Sequence, residues 1–419
     1  MIFLNKFLDS CSKKKLFILI VGLFVVVFVL QQWLFVERSI GNSYFKYKNI
    51  TLVLLHLLSS EMEMDSADLY LWDEKAFSLV RKYSLSPTVA SRLYAYLVTA
   101  EKDAAELSYE LKGGYYGTFD SVAGRLLCRI FPYDCPFIKA GMTEDLYSKE
   151  LAEIVVQMVD KRIAIDGGEE NIYPQNTISH PKHGYYDRPE GETYWDAVNP
   201  VSPEAGLWKT WLISDVSEFR APPPPIYGSA EDFKEVTKVK NALVNLTDKE
   251  AEAVQYWAMG PGTETPAGLW LKKLTHLAKG EPNISLPYLL EVRGTLMQSI
   301  ADACIVVWDT KYTDWTKRPY MRDLEIQTLR TSKITPYVPT PNFPSYISGH
   351  STMSATAATI LSFFFPEHKS YFFSEAEEAM HSRLWGGIHF DIDDLTGFGI
   401  GEKIGHVILS KKSGGLLGD

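Results

Sequence analysis

The sequence predicts an all-α protein, with two helical halves joined by an aromatic, proline-rich crossover behind one apolar N-terminal segment. Three observations predict it. Val89 to Leu107 and Thr143 to Ile165 carry apolar residues at helical spacing with charges between them. Alternating β-type runs bounded by turns are scarce. Residues 166–230 break the helical pattern with Gly, Pro, Asn, Tyr and Trp, and run through Ala221 into Pro222, Pro223, Pro224 and Pro225. Consecutive prolines hold an extended segment and cannot continue a helix.

Leu16 to Val36 holds 21 residues without a charge. As a helix it would span about 30 Å, the thickness of a bilayer core. Lys13, Lys14 and Lys15 precede it, which places the N-terminus in the cytoplasm and the rest of the chain outside. The alternative is a cleaved signal peptide, but the stretch is long for one and no clear A-x-A site follows. The expected organisation is a cytoplasmic stub and transmembrane anchor over 1–38. A first helical half with the crossover follows over 39–230, and a second half over 231–419. The catalytic body is thus expected to be membrane-anchored and extracytoplasmic, at a periplasmic or cell-surface location.

Within the first half, Thr143 with Glu144 and Asp145 resembles a helix start. A long aromatic crossover is usually packed across a domain surface, so Trp208, Trp211 and Trp270 read as core anchors. Helical patterns resume near Glu231 and run to about Ser410. No repeat at a fixed period is present.

The 419 residues, 46% hydrophobic, suffice for one large domain or two medium ones with real cores. A net charge of −10 argues against nucleic acid, which demands a surplus of Lys and Arg. The four cysteines, Cys11, Cys128, Cys135 and Cys304, show no CxxC pair and no metal spacing. Cys304 sits in an apolar run and reads as buried and inert. Cys128 and Cys135 are close enough in sequence for a local disulfide if the domain lies outside the cytoplasm.

Chemistry concentrates in three stretches. Trp308 to Arg322 holds Lys311 and, seven positions on, Arg318 before Pro319. Phe343 to Ala355 centres on Ser348, Gly349 and His350. Ser382 to Asp394 holds Arg383, His389 and Asp393. An oxyanion needs several cationic donors, and Arg suits paired contacts with neighbouring oxygens. A Ser-Gly pair supplies a hydroxyl and an unshielded N–H. The run after His350 is a good helix, so Gly349 and His350 sit at a helix N-terminus, where anions bind readily. Two histidines supply a nucleophile or ligand and a separate proton donor. Asp393, four residues after His389, shares a face with it if a helix starts near His389, and can then orient the imidazole. Each piece alone is more often structural: a solvated face, a turn into a helix, a surface pair. Together, in this order and within about 80 residues, they define an oxyanion site.

This pattern, K-x6-RP, then SGH, then SR-x5-H-x3-D, resembles that of the type 2 phosphatidic acid phosphatase (PAP2) superfamily, which includes acid phosphatases and the vanadium-dependent haloperoxidases. The match holds at Lys311, Arg318, Pro319, Ser348, Gly349, His350, Ser382, Arg383, His389 and Asp393. Ile347 departs from it, since the family most often has Pro there. The resemblance covers residues 85–410 loosely and 300–400 sharply. Trp308, three before Lys311, and Phe343, seven before His350, resemble the pocket walls of the haloperoxidase branch. Gly260 to Trp270 resembles a loop of bacterial haloperoxidase-like proteins, which usually have His where this chain has Leu269. A single anchor also differs from the several spans of lipid phosphatases.

The resemblance implies two helical bundles and vanadate as cofactor. Lys311, Arg318, Ser348, Gly349 and Arg383 would bind its oxygens, and His389 would be axial to vanadium. His350 would move protons, and Lys311 would polarise peroxide, which oxidises halide. The alternative is a PAP2-type acid phosphatase without a cofactor, hydrolysing phosphomonoesters through a phosphohistidine at His389, with His350 protonating the leaving group. A non-catalytic phosphate-binding module is the third reading. Helical relatives often pair, which adds a homodimer as an expectation. His180 and His183 read as surface residues. Asp302 reads as a partner for a site arginine or a helix-surface charge; Asp391 and Asp394 flank Asp393, and either could be solvated.

Overall fold

The computed structural model describes residues 66–112, 119–140, 142, 144–168, 191–196, 199–281 and 284–417. The apolar segment Leu16 to Val36 and the histidines His180 and His183 lie outside the described residues. Among the described residues no helix is long and apolar enough to cross a membrane. There is also no β-strand among them, only an isolated antiparallel bridge between Tyr194 and Thr316.

The first helices are α1 (Ser66–Lys82), α2 (Pro87–Lys112), α3 (Phe119–Ile130), α4 (Cys135–Lys139) and α5 (Leu146–Ile165). The start expected near Thr143 falls at Leu146, where the Asp145 side chain accepts from the Ser148 N–H at 2.7 Å. Cys128 and Cys135 are joined as a disulfide between α3 and α4. After the crossover come α6 (Ala230–Val244), α7 (Asp248–Tyr256), α8 (Thr265–Gly280) and α9 (Leu286–Asp314). A capping box of Thr247 and Glu250 starts α7. The chain closes with α10 (Pro319–Arg322), α11 (Leu324–Lys333), α12 (Gly349–Phe364), α13 (Lys369–Trp385) and α14 (Asp391–Leu417).

α9 is the axle of the fold. It is buried nearly all round from Leu289 to Tyr312 and packs against α2, α8 and α12, as expected of a helix without a polar face. The crossover is strapped along it. The Val201 carbonyl accepts from Trp308 Nε1 at 3.0 Å and from the Tyr312 hydroxyl at 2.9 Å. Arg220 pairs with Asp309 through two bonds of 2.8 Å. Asp302 does not meet a site arginine. Its carboxylate accepts the backbone N–H groups of Trp211, Leu212 and Ile213 at 2.7, 2.7 and 3.0 Å, satisfying a loop that has no secondary structure to do so. Trp208 and Trp270 are buried, while Trp211 is half-buried between Tyr96 and the Arg162 guanidinium.

α12 and α14 approach closely because their facing residues are small. A Cβ added at Gly397 would stand 2.8 Å from the Ser348 carbonyl oxygen, and one at Gly401 would stand 2.3 Å from that of Thr352. At Gly405 it would meet Thr359 at 2.7 Å. Glycines four apart lie on one helix face, and this stripe presses α14 onto the α12 end that carries Ser348, Gly349 and His350.

Candidate active site

Five pieces of chain converge. The last turns of α9 present Trp308 and Lys311, and the helix stops at Trp315 in the left-handed region (φ 50°). The chain then returns through Arg318 at the start of α10, the segment Phe343 to Ser348, the first turn of α12, and the turn between α13 and α14. Lys311, Arg318, Ser348, Arg383, His389 and Asp393 are all buried.

Lys311 Nζ donates to the carbonyls of Pro344 and Ser345 at 2.8 and 2.6 Å. Burial first, then Arg318, holds its pKa well below the ordinary lysine value. Arg318 donates from Nε to the Phe343 carbonyl at 2.9 Å and from Nη1 to that of Ile388 at 2.7 Å. Its Nη2 is sealed from solvent without a partner. Phe343 packs against both cations, 5.1 Å from Lys311 Nζ and 4.9 Å from the Arg318 carbon, and Trp308 backs it at 4.9 Å between ring centroids. The two aromatics pack side by side against the cations. Arg383 donates to its neighbour Ser382 at 2.9 Å. Burial pushes both guanidinium groups down to about 10.

His389 sits between opposite chemistries. Its Nε2 lies 3.0 Å from Arg318 Nη1 and its Nδ1 lies 2.9 Å from Asp393 Oδ2. A guanidinium can only donate, so Nε2 is the lone-pair nitrogen and Nδ1 carries the hydrogen. Burial, then Arg318 and Lys311, keeps the ring neutral by lowering its pKa well below the ordinary value. Asp393 also accepts from the Ser345 hydroxyl at 2.5 Å and the Phe390 N–H at 3.2 Å, and burial pushes it up to about 6. The helix starts at Asp391, two residues after His389, so the pair forms by Asp393 reaching back from the first turn.

Ser348 caps α12, and Gly349 opens it, so the Gly349 N–H has no carbonyl four residues back to bond. His350 bonds the Trp257 backbone. Its Nε2 is sealed and unpartnered, which leaves Nδ1 to make that bond. Burial first, then Arg383, lowers its pKa well below the ordinary value. Leu269 is buried on α8, where the adjacent Trp270 donates to Ser354 of α12 at 3.0 Å.

Some participants were not identified from the sequence. Asp394 is buried rather than solvated, with Ser351 donating to its Oδ1 at 3.1 Å, while Asp391 pairs with Lys238 at 2.8 Å. Ser345 holds Asp393, and the Trp257 carbonyl holds His350. Ser345 lies inside the Phe343–Ala355 stretch; nothing in the sequence marks Trp257.

The site gathers three buried cations, a helix N-terminus and an unpaired guanidinium Nη2, against two carboxylates that burial drives toward neutrality. This donor set fits an oxyanion. Residues 292–375 match the VCPO second helical-bundle domain. The fold is similar to the crystal structure of a bacterial vanadium-dependent iodoperoxidase, with a TM-score of 0.60 and 20% identity, covering 84% of this chain and 98% of that one. It is also similar to bacterial vanadium-dependent chloroperoxidases. The apo type has a TM-score of 0.62 at 13% identity, over 79% of this chain and 94% of that one. The holo type has a TM-score of 0.61 at 14% identity, over 78% and 92%. Nothing among curated proteins matches the chain. The fold is thus the one seen in bacterial vanadium-dependent haloperoxidases, and residues 292–375 carry the match to the second helical-bundle domain.

Proposed function

We propose that this chain is a vanadium-dependent haloperoxidase-like enzyme that binds vanadate and uses hydrogen peroxide to oxidise halide. The observation that carries this reading is the pair of sealed, unpartnered nitrogens, Arg318 Nη2 and His350 Nε2, within a cluster of three buried cations. Lys311, Arg318, Arg383, the Ser348 hydroxyl and the Gly349 N–H would hold the vanadate oxygens. His389 Nε2, kept as a lone pair by the Asp393 bond, would ligate the vanadium. Vanadate, when bound, supplies the centre at which peroxide is activated toward halide. Lys311 and the two arginines offset negative charge at no cost in reorganisation, because backbone carbonyls already fix Lys311 and Arg318. His350, neutral and with Nε2 open, accepts and returns a proton. Trp308 and Phe343 exclude water from one side.

We also propose that the catalytic body lies outside the cytoplasm, tethered by Leu16 to Val36. Lys13 to Lys15 and the Cys128–Cys135 disulfide support this placement. The homodimer rests on the resemblance alone.

The test is incubation of purified protein with vanadate, peroxide and bromide or iodide, read by halogenation of a dye acceptor. Turnover that needs vanadate and disappears in His389→Ala is expected. Phosphate release from a generic monoester without halogenation would replace this reading with the phosphatase one. Oxyanion binding without either turnover would leave a phosphate-binding module.

A further inference from the structure

We propose that Asp394 and Ser351 are positioning residues that aim the Ser348 hydroxyl proton at the bound oxyanion; this rests on the oxyanion-site reading above. Three oxygen-bearing side chains stand in line behind the site. The Ser351 hydroxyl lies 3.0 Å from Ser348 Oγ and 3.1 Å from Asp394 Oδ1. The Ser348 side chain also lies within hydrogen-bonding reach of the Asp394 carboxyl. All three residues are buried, and Asp394 Oδ2 is sealed without a partner.

Each hydroxyl has one proton, so the line has two polarities. In the first, Ser351 and Ser348 both donate to an ionised Asp394. Ser348 then turns its lone pairs toward the anion and repels it. In the second, a protonated Asp394 donates to Ser351 and Ser351 donates to Ser348. The Ser348 proton is then left for the oxyanion. Only the second polarity makes Ser348 a donor where the site needs one, and the Ser351 N–H reinforces it by also donating to Ser348 Oγ, at 3.5 Å. Burial, with Asp393 alongside, raises the Asp394 carboxyl well above the ordinary carboxylate range, against the hydrogen bonds of Ser348 and Ser351 and the pull of Arg383. An acidic residue in the first turn of α14 would stabilise that helix end from an exposed position. A fully buried carboxyl facing a hydroxyl relay is not needed for that.

The experiment is equilibrium dialysis of the full chain against orthovanadate and, separately, inorganic phosphate. Ser351→Ala and Asp394→Ala should each raise Kd about tenfold, the size of a hydrogen bond to a charged group. Asp394→Asn, whose amide can donate to Ser351 without carrying charge, should bind close to wild type. The pair Ser348→Ala with Ser351→Ala should bind no more weakly than Ser348→Ala alone, because the relay acts only through Ser348. Additive losses, an Asp394→Asn defect as large as that of Asp394→Ala, or wild-type binding by Ser351→Ala would each overturn the proposal. If Asp394→Ala does not fold, the Ser351 and Asp394→Asn arms decide. Wild-type protein that binds oxyanion but oxidises no halide would sink the haloperoxidase reading and leave the relay standing. Halide oxidation with unchanged binding in the variants would do the reverse. Wild-type protein that binds neither anion would overturn both.

Discussion

His389 and Asp393 are joined Nδ1 to Oδ2 at 2.9 Å, although the helix that carries Asp393 begins only at Asp391. The Ser345 hydroxyl and the Phe390 N–H donate to that same oxygen and fix the carboxylate. Asp393 thereby decides which imidazole nitrogen faces the pocket. Asp393→Ala should weaken orthovanadate binding about 10- to 100-fold, the usual cost of removing the group that orients a ligating histidine. Asp393→Asn should lose less, because its amide oxygen can take the place of Oδ2 and still accept from Nδ1. Equilibrium dialysis reads both, and wild-type affinity in Asp393→Ala would show that the imidazole needs no such support.

Arg318 is as much a structural tie as an anion donor. It holds the Phe343 and Ile388 carbonyls and touches His389, joining the three stretches of the site. Arg318→Met should leave two buried carbonyls unpaired and destabilise the fold by roughly 2–6 kcal/mol, at about 1–3 kcal/mol for each lost partner. Arg318→Lys should recover part of this, since one ammonium reaches fewer of these acceptors than a planar fork. Urea unfolding gives the comparison. Equal stability of Lys and Met variants would mean that charge, not geometry, is what the fold uses.

The α12–α14 contact makes a steric prediction. At Gly401 a methyl group would stand 2.3 Å from the Thr352 carbonyl oxygen, whereas at Gly399 it would meet nothing within 4 Å. Gly401→Ala should therefore cost about 1–3 kcal/mol through overpacking. Gly399→Ala should be neutral or slightly stabilising, because Ala is the better helix former. Thermal melts separate them. A harmless Gly401→Ala would show that the two helices can part without loss.

These relationships mark the boundary of what the sequence reveals. The site residues that touch the pocket directly belong to short patterns with fixed spacing, so Lys311, Arg318, Ser348 to His350, Arg383 and His389 are legible. Helix α5 is legible because its burial is one-sided and periodic, whereas α2 is buried all round from Thr88 to Val98 and shows itself by helical spacing and the charges of its second half. Asp394 is not, since consecutive helix positions point about 100° apart and one of two adjacent acids is normally solvated. Both are buried here because the first turn of α14 starts inside the protein. Asp302 misleads for a related reason. Its partners are backbone amides of residues 211–213, and main-chain donors leave no signature in side-chain identity. The Trp257 carbonyl is invisible in sequence on the same ground.

A second charge cluster is buried away from the site. Asp73 of α1 forms a paired bond with Arg293 of α9 at 2.6 and 2.8 Å, and Arg293 also reaches Glu101 of α2 at 2.8 Å. Thr275 of α8 completes the group by donating to Asp73 at 3.0 Å. All are buried, and Glu101 Oε1 is sealed without a partner. One guanidinium cannot neutralise two carboxylates, so one of them keeps a proton. Burial pushes Glu101 up to about 8 from 4.5, against the attraction of Arg293. Its folded pKa thus lies above its unfolded one. The folded chain binds the proton more tightly, and this contribution to stability is full below pH 4.5 and is lost as pH rises toward about 8. Wild-type protein should therefore lose thermal stability across that window. Glu101→Gln keeps the shape and a polar contact but cannot ionise, so its melting temperature should fall less and exceed that of wild type at pH 8 and above. Parallel declines in the two proteins would place the titrating group elsewhere.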